Sequence, residues 1–135
     1  YANAPSDIKY QGVELSYIHR LFEELDFNLN YTFTELKNGG LIRLPKHAVD
    51  SSLNYAFKDE SNLGLYYAYR GKRQAVDLSS LDAYGLIDLR YAKTFHNDKL
   101  TASIWLSNIL DTDYIEITNF TTRGRNFRFG LSYQL

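Results

Sequence analysis

The sequence predicts an all-β fold, an antiparallel, up-and-down transmembrane β-barrel segment of about seven strands. Three observations predict it. Apolar and polar residues alternate with a period of two in successive stretches, the connections between stretches are alternately short and long, and aromatic side chains gather toward the stretch ends. The composition agrees: 12 Tyr and 8 Phe against only 2 Pro suit strands better than helices.

Taken in order, the strands are expected near 12–20, 25–36, 47–57, 62–70, 84–95, 100–108 and 125–135. GVELSYIHR (12–20) opens the pattern, and LDFNLNYTFT (25–34) sets Leu25, Phe27, Leu29, Tyr31 and Phe33 against Asp26, Asn28, Asn30, Thr32 and Thr34. A 3.6-residue period would scramble those two sets. HAVDSSLNYAF (47–57), NLGLYYAYR (62–70), YGLIDLRYAKTF (84–95) and LTASIWLSN (100–108) repeat the alternation. The terminal NFRFGLSYQL alternates Phe127, Phe129, Leu131, Tyr133 and Leu135 with polar or small residues to its end. Termini fray unless held, so an apolar stripe reaching the last residue implies a neighbouring strand that pairs with it.

The joints RLFEEL (20–25), KDES (58–61) and HNDK (96–99) are tight and polar, whereas LKNGGLIRLPK (36–46), GKRQAVDLSSLDA (71–83) and the stretch 109–123 are long. Short joints therefore share one rim and long ones the other, as in outer-membrane barrels with short periplasmic turns and long extracellular loops. Ten residues rising about 3.3 Å each at a tilt of about 45° span roughly 23 Å, close to the apolar band of about 25 Å.

One face of the ribbon is almost wholly apolar or aromatic, with His19, Ser51 and Lys93 as departures. The other carries Glu14, Arg20, Asp26, Asp50, Arg70, Asp88, Arg90 and Arg128, with Ile18, Tyr66 and Trp105 among its few large apolar side chains. Alternation alone fits lipid outside and a polar lumen, or a small soluble barrel turned the other way. The aromatics favour lipid: Phe33, Tyr67, Tyr69 and Phe127 lie near long-loop ends, Phe57, Phe95 and Tyr133 near short-turn ends, and Leu29, Leu53, Leu89 and Ile104 fill the middle. Lys93 lies near a short-turn end, where its stem reaches the interface. An odd, up-and-down set leaves two open edges that hydrocarbon does not tolerate, so further strands are expected elsewhere.

A net charge of −1 points to no nucleic-acid partner, the absence of Cys removes disulfide and thiolate chemistry, and His19, His47 and His96 lack metal-ligand spacing. No nucleophile, base and orienting residue converge, so neither an enzyme nor a resident cofactor or metal is expected. A start at Tyr1 and a chain without Met fit a processed protein or a fragment.

GVELSY (12–17), LPKH (44–47), YGLIDLRYAKTF (84–95), LSNILDTDY (106–114) and RGRNFRFGLSYQL (123–135) resemble, in order and spacing, the C-terminal part of TonB-dependent outer-membrane receptors of the cobalamin and siderophore type. The resemblance implies the last seven strands of a larger plugged barrel of about 22 strands, without its plug. It also implies energy-coupled uptake of a scarce iron-siderophore, haem or cobalamin across the outer membrane. The implied partners are lipid and lipopolysaccharide, the remaining strands and plug, a TonB-type energy-coupling protein and a small metal chelate. Family barrels end in Phe or Trp for the assembly machinery; here Phe129, Leu131, Tyr133 and Leu135 would carry that signal, with Leu at the end.

Substrate contacts in such receptors come from outer loops and the upper lumen, which makes Lys37, Arg43, Lys72, Arg73, Arg123 and Arg125 the candidates for holding an anionic chelate. Solvated loop charge or contact with lipopolysaccharide is the competing reading for each. Asp88, Arg90 and Arg70 are expected to form a cross-strand salt-bridge ladder, Tyr66 and Trp105 to pack locally, Asp111 and Asp113 to form a turn, and His47 to serve as a strand residue in preference to a haem ligand. Two other functions stay open on the residues: a passive porin or adhesin barrel, and a soluble small-ligand-binding β-barrel.

Overall fold

The computed structural model describes residues 9–37, 43–95 and 99–134. The expected terminal anchor Leu135 and most of the HNDK joint lie outside those residues. Among the described residues nine strands are formed: β1 (Tyr10–Phe22), β2 (Leu25–Leu36), β3 (His47–Ala56), β4 (Ser61–Arg70), β5 (Arg73–Gln74), β6 (Ser80–Leu81), β7 (Tyr84–Phe95), β8 (Leu100–Ser107) and β9 (Asn126–Tyr133). Seven of them make one antiparallel sheet in the order β1-β2-β3-β4-β7-β8-β9, so each long strand pairs with its neighbour in sequence. The remaining two, β5 and β6, form a hairpin inside the 71–83 link, where the alternation was too short to register.

The sheet is open. β1 and β9 are its two edges and do not meet, which sets aside the closed soluble barrel. No large side chain among the described residues is fully buried, and the buried apolar residues are only Ala75, Leu81 and Ala92. Leu65, Phe129 and Leu131 are 39%, 71% and 74% exposed, so the apolar face covers no protein core.

Register keeps the two faces distinct. Phe27 opposes Leu53, Leu53 opposes Leu65, and Leu65 opposes Leu89, a continuous apolar row across four strands. Side-chain hydrogen bonds at mid-strand lie on the opposite face: Ser16 to Asn30 at 2.8 Å, Asn28 to Ser52 at 3.2 Å, and Tyr66 to Asn54 at 3.1 Å. On the apolar face such bonds appear only toward the rims, as in Tyr31 with His47 (2.8 Å), Gln11 to Glu35 (3.2 Å) and Lys93 to Asp59 (2.6 Å). A face that keeps polar pairs to its ends is suited to a solvent that offers no hydrogen bonds in between.

Two glycines give room to aromatic rings. A Cβ at Gly64 would lie 2.7 Å from the Tyr66 ring on the polar face, and one at Gly85 would lie 3.1 Å from the Tyr67 hydroxyl on the apolar face. Rings laid over strand glycines in this way pin register.

The connections sort by rim as expected. Glu23 and Glu24 close β1 to β2, and residues 57–60 close β3 to β4, while the described parts of the links 37–46, 71–83 and 108–125 lie at the other end. The 57–60 turn places Glu60 in the left-handed region (φ 62°), with Asp59 accepting from the Ser61 amide at 3.2 Å and the Ser61 hydroxyl at 2.5 Å. Lys93 and Ser61 donors together hold the Asp59 carboxyl down to about 2.

Leu29→Arg in the intact barrel is expected to cost about 2 to 4 kcal/mol and Asn30→Arg almost nothing, because only the first sends a charge to mid-bilayer; equal unfolding free energies in lipid would contradict the face assignment. Because the Asp59 carboxyl is depressed in the folded state, its bracing of the turn is complete above about pH 4 and is lost as pH falls through about 2. Exchange of the Ser61 amide should accelerate across that window, and Asp59→Asn should remove the pH dependence.

Candidate functional site at the long-loop rim

Two of the three long links are fastened to each other by a buried cation. Arg73, on β5, is 7% exposed. Its guanidinium donates to the carbonyl oxygens of Ile115 (2.7 Å), Glu116 (3.4 Å) and Asp82 (3.4 Å), and lies 5.0 Å from the centre of the Tyr84 ring. Tyr84 in turn packs on Tyr114 at 4.5 Å. The Arg43 amide donates to the Gln74 carbonyl at 2.7 Å and brings the 37–46 link to the same hairpin. The hairpin tip repeats the device of the 57–60 turn: Asp77 accepts from the Ser79 amide and hydroxyl, with Leu78 between them at φ 67°.

A second fastening joins the last link to the wall. Asn108 is 3% exposed and left-handed (φ 50°). Its side chain donates to the Thr112 carbonyl and accepts from the Thr112 amide, both at 2.9 Å, while its own amide donates to Asp88 Oδ1 at 2.8 Å. Asp111 accepts from the Arg125 amide at 2.7 Å, which holds its carboxyl below the usual range and closes the link onto β9.

Below this rim, on the polar face, Trp105 is the centre of a cluster. It stacks on Tyr66 at 5.4 Å and donates to Asp88 Oδ2 at 3.3 Å, with the Arg90 and Arg128 guanidinium carbons 5.8 and 5.6 Å from its ring. The expected Asp88–Arg90–Arg70 ladder is not formed. Asp88 is taken by Trp105 and Asn108, and Arg70, opposite Tyr84, pairs with Asp50 at 2.8 Å. A cavity of about 470 Å³ lies here, lined by Asp88, Trp105, Asn108, Tyr114, Arg123 and Arg128. Burial pushes the Tyr114 phenol up, so it stays protonated and able to donate. A smaller cavity of about 280 Å³, between the β5–β6 hairpin and the last link, is lined by Arg43, Leu81, Ile117, Thr118 and Asn119. The buried Thr118 hydroxyl has no hydrogen-bond partner among the described residues.

The six basic candidates therefore divide. Arg123 lines the larger cavity and Arg43 the smaller. Arg125 is tied to Asp111, and Lys72 stands exposed 3.8 Å from Asp82. Arg73 directs its donors to backbone carbonyls inside the loop cluster. Lys37 follows β2, where its amide donates to the Lys9 carbonyl at 2.9 Å, one register step beyond the Tyr10–Leu36 pair. Arg128 and Tyr114 join the site although sequence reasoning did not select them. The signal for Arg128 was its place on the charged face beside Trp105, but β8–β9 register was needed to bring them opposite.

A family model described as TonB dependent receptor-like, beta-barrel, matches residues 1–109. No curated protein matches. Among solved structures, one of the FpvAI–pyocin S2 complex superposes with a TM-score of 0.77 at 21% identity, covering 93% of this chain and 19% of that one. The ferric-catecholate import receptor Fiu from E. coli K12 gives 0.74 at 18%, covering 92% and 20%. FpvA from Pseudomonas aeruginosa PAO1 bound to pyoverdine gives 0.74 at 21%, covering 95% and 22%. The chain spans about a fifth of these structures' length, and at such identities the likeness is one of fold.

Arg73→Ala should destabilise the loop cluster by about 1 to 3 kcal/mol, since three carbonyl acceptors lose their donor. Limited proteolysis should then cut within 71–83 or 108–125 while the strands stay protected, and Lys72→Ala should leave the cleavage pattern unchanged.

Proposed function

We propose, from the premise that this chain belongs to the TonB-dependent receptor β-barrel family, that it forms part of the wall and outer rim of a receptor importing a scarce nutrient as a small chelate. Proteins of this family reside in the bacterial outer membrane and are transporters, not enzymes. With the apolar face toward lipid, the Trp105 face lines the lumen and the long links meet the outside.

The observation that carries the reading is the cavity of about 470 Å³ beneath braced outer links, where Arg123, Arg128, Tyr114 and Trp105 converge. Guanidinium and phenol donors beside an indole face suit an anionic, partly aromatic ligand. Among nutrients of this kind an iron-siderophore fits that chemistry best, ahead of haem or cobalamin; of the similar structures, one is a ferric-catecholate import receptor and one is bound to pyoverdine. Further strands would complete the barrel by pairing at β1 and β9, a plug would fill the lumen, and a TonB-type protein would supply energy. Phe129, Leu131 and Tyr133 on the outer face of β9 are the described part of the proposed assembly signal, with Leu135 completing it.

Uptake of labelled ferric siderophores by cells carrying the full-length receptor tests this. Arg123→Ala and Arg128→Ala should each weaken binding about tenfold to a hundredfold, as loss of one charge-assisted hydrogen bond of about 1.5 to 3 kcal/mol requires. Unchanged uptake in both, or uptake of small solutes that persists when the proton gradient is collapsed, would refute it and favour a passive pore.

A further inference from the structure

Tyr114 stands between two hollows of the outer rim. On one side is the cavity of about 470 Å³ with Asp88, Trp105, Arg123 and Arg128 in its lining. On the other is a cleft of about 320 Å³ beneath the β5–β6 hairpin, lined by Leu81, Asp82, Tyr84, Asp113 and Ile115 among others. Tyr114 is the one described residue common to both linings, and no residue of the 71–83 link lines the first.

The contacts around Tyr114 hold it at that boundary. Its carbonyl oxygen accepts from the Thr122 hydroxyl at 2.6 Å. Two residues before it, the Thr112 backbone is bonded twice by the Asn108 side chain; directly after it, the Ile115 and Glu116 carbonyls accept from Arg73. With the backbone fixed on both sides, the phenol ring lies 4.5 Å from the Tyr84 ring, and the Arg73 guanidinium lies 5.0 Å from the centre of that second ring. A half-buried ring packed in this way has few rotamers open to it and acts as a wall.

The two linings differ in chemistry. The first offers guanidinium donors beside an indole face, which suits the compact anionic head of a chelate. The second offers two carboxylates, apolar Leu81 and Ile115 and the Tyr84 ring, with no basic residue. A bare chelate needs only the first. An arm extending from the chelate toward the hairpin meets the Tyr114 ring; with that ring gone, an amide arm would enter the cleft behind and donate to Asp82 and Asp113.

We propose that Tyr114 is the residue that sets substrate size at this site: its ring closes the cavity against the cleft behind it and favours a compact chelate over one carrying an arm. The inference rests on the substrate reading above and deepens it. Tyr84 and Arg73 are positioning residues that act through the Tyr114 ring.

Equilibrium binding to the full-length receptor in detergent tests this with two probes, a ferric tris-catecholate without appendage and the same chelate bearing a neutral peptide arm. The parent should prefer the bare chelate. Tyr114→Ala should shift the ratio of the two affinities toward the armed chelate by at least about tenfold, the scale on which a pocket contact discriminates between substrates. Tyr114→Phe keeps the ring and should retain the parent ratio. Arg73→Ala should move the ratio the same way by a smaller factor, and serves as the test where Tyr114→Ala does not assemble. Loosening of the link alone would weaken both chelates alike and leave the ratio unmoved; that result overturns the proposal, as does an equal shift in Tyr114→Phe. Should Arg123→Ala and Arg128→Ala weaken binding of the bare chelate while the ratio stays fixed, the substrate reading survives and the size filter does not. Should neither arginine matter, or the parent bind neither probe, both fall.

Discussion

Backbone pairing in an environment without water is the constraint from which the rest follows. In hydrocarbon an unpaired amide or carbonyl costs several kcal/mol, so strands must lie in an unbroken ladder and every departure from regular pairing must sit at a rim. The sheet obeys this closely. Among the described residues the one register irregularity, between Arg20 and Phe22, is at the short-turn end, and the left-handed non-glycine residues Arg43, Glu60, Leu78, Asn108, Asp111 and Asn119 all lie in connections. The ladder also enforces the alternation of faces: a slip of one residue anywhere between Phe27 and Leu89 would send the apolar row to the polar side.

This architecture derives little from a protein core. With Ala75, Leu81 and Ala92 the only buried apolar side chains among the described residues, the usual large term from side-chain burial is missing there and is supplied by what surrounds the sheet. Beside the Trp105 cluster on the wall, packing of the familiar kind is found in the outer links. There Arg73 takes the place a hydrophobic residue would hold in a soluble domain, because it satisfies carbonyls from two links at once while its flat guanidinium stacks on Tyr84. Long loops braced in this way present Arg43 and Arg123 on defined surfaces, as binding without a large ordering cost requires.

The polar face and the loop rim meet at Asp88. Its two oxygens join Trp105 in the wall to Asn108 at the start of the last link, so the cavity wall and the loop above it are held by one carboxylate. That use explains why Asp88 does not pair with Arg90, and why Arg90 and Arg128 are left against the indole.

Strands, turns and faces were legible in the sequence because each depends on neighbours two residues apart or on a local pattern. Leu25 to Thr34 announce a two-faced strand by themselves, and the polar KDES joint (58–61) announces a tight turn, in which Asp59 accepts from the Ser61 amide. The contacts of Arg73 and Lys37 were not legible. A charge in a long link looks the same whether it faces ligand, lipid headgroups or a neighbouring loop, and only the meeting of residues 73 and 115, far apart in the chain, separates those cases. Alternation determined that this chain has a wet side and a dry side; the tertiary structure decided which basic residues stand on which, because that depends on contacts between links whose sequences carry no period.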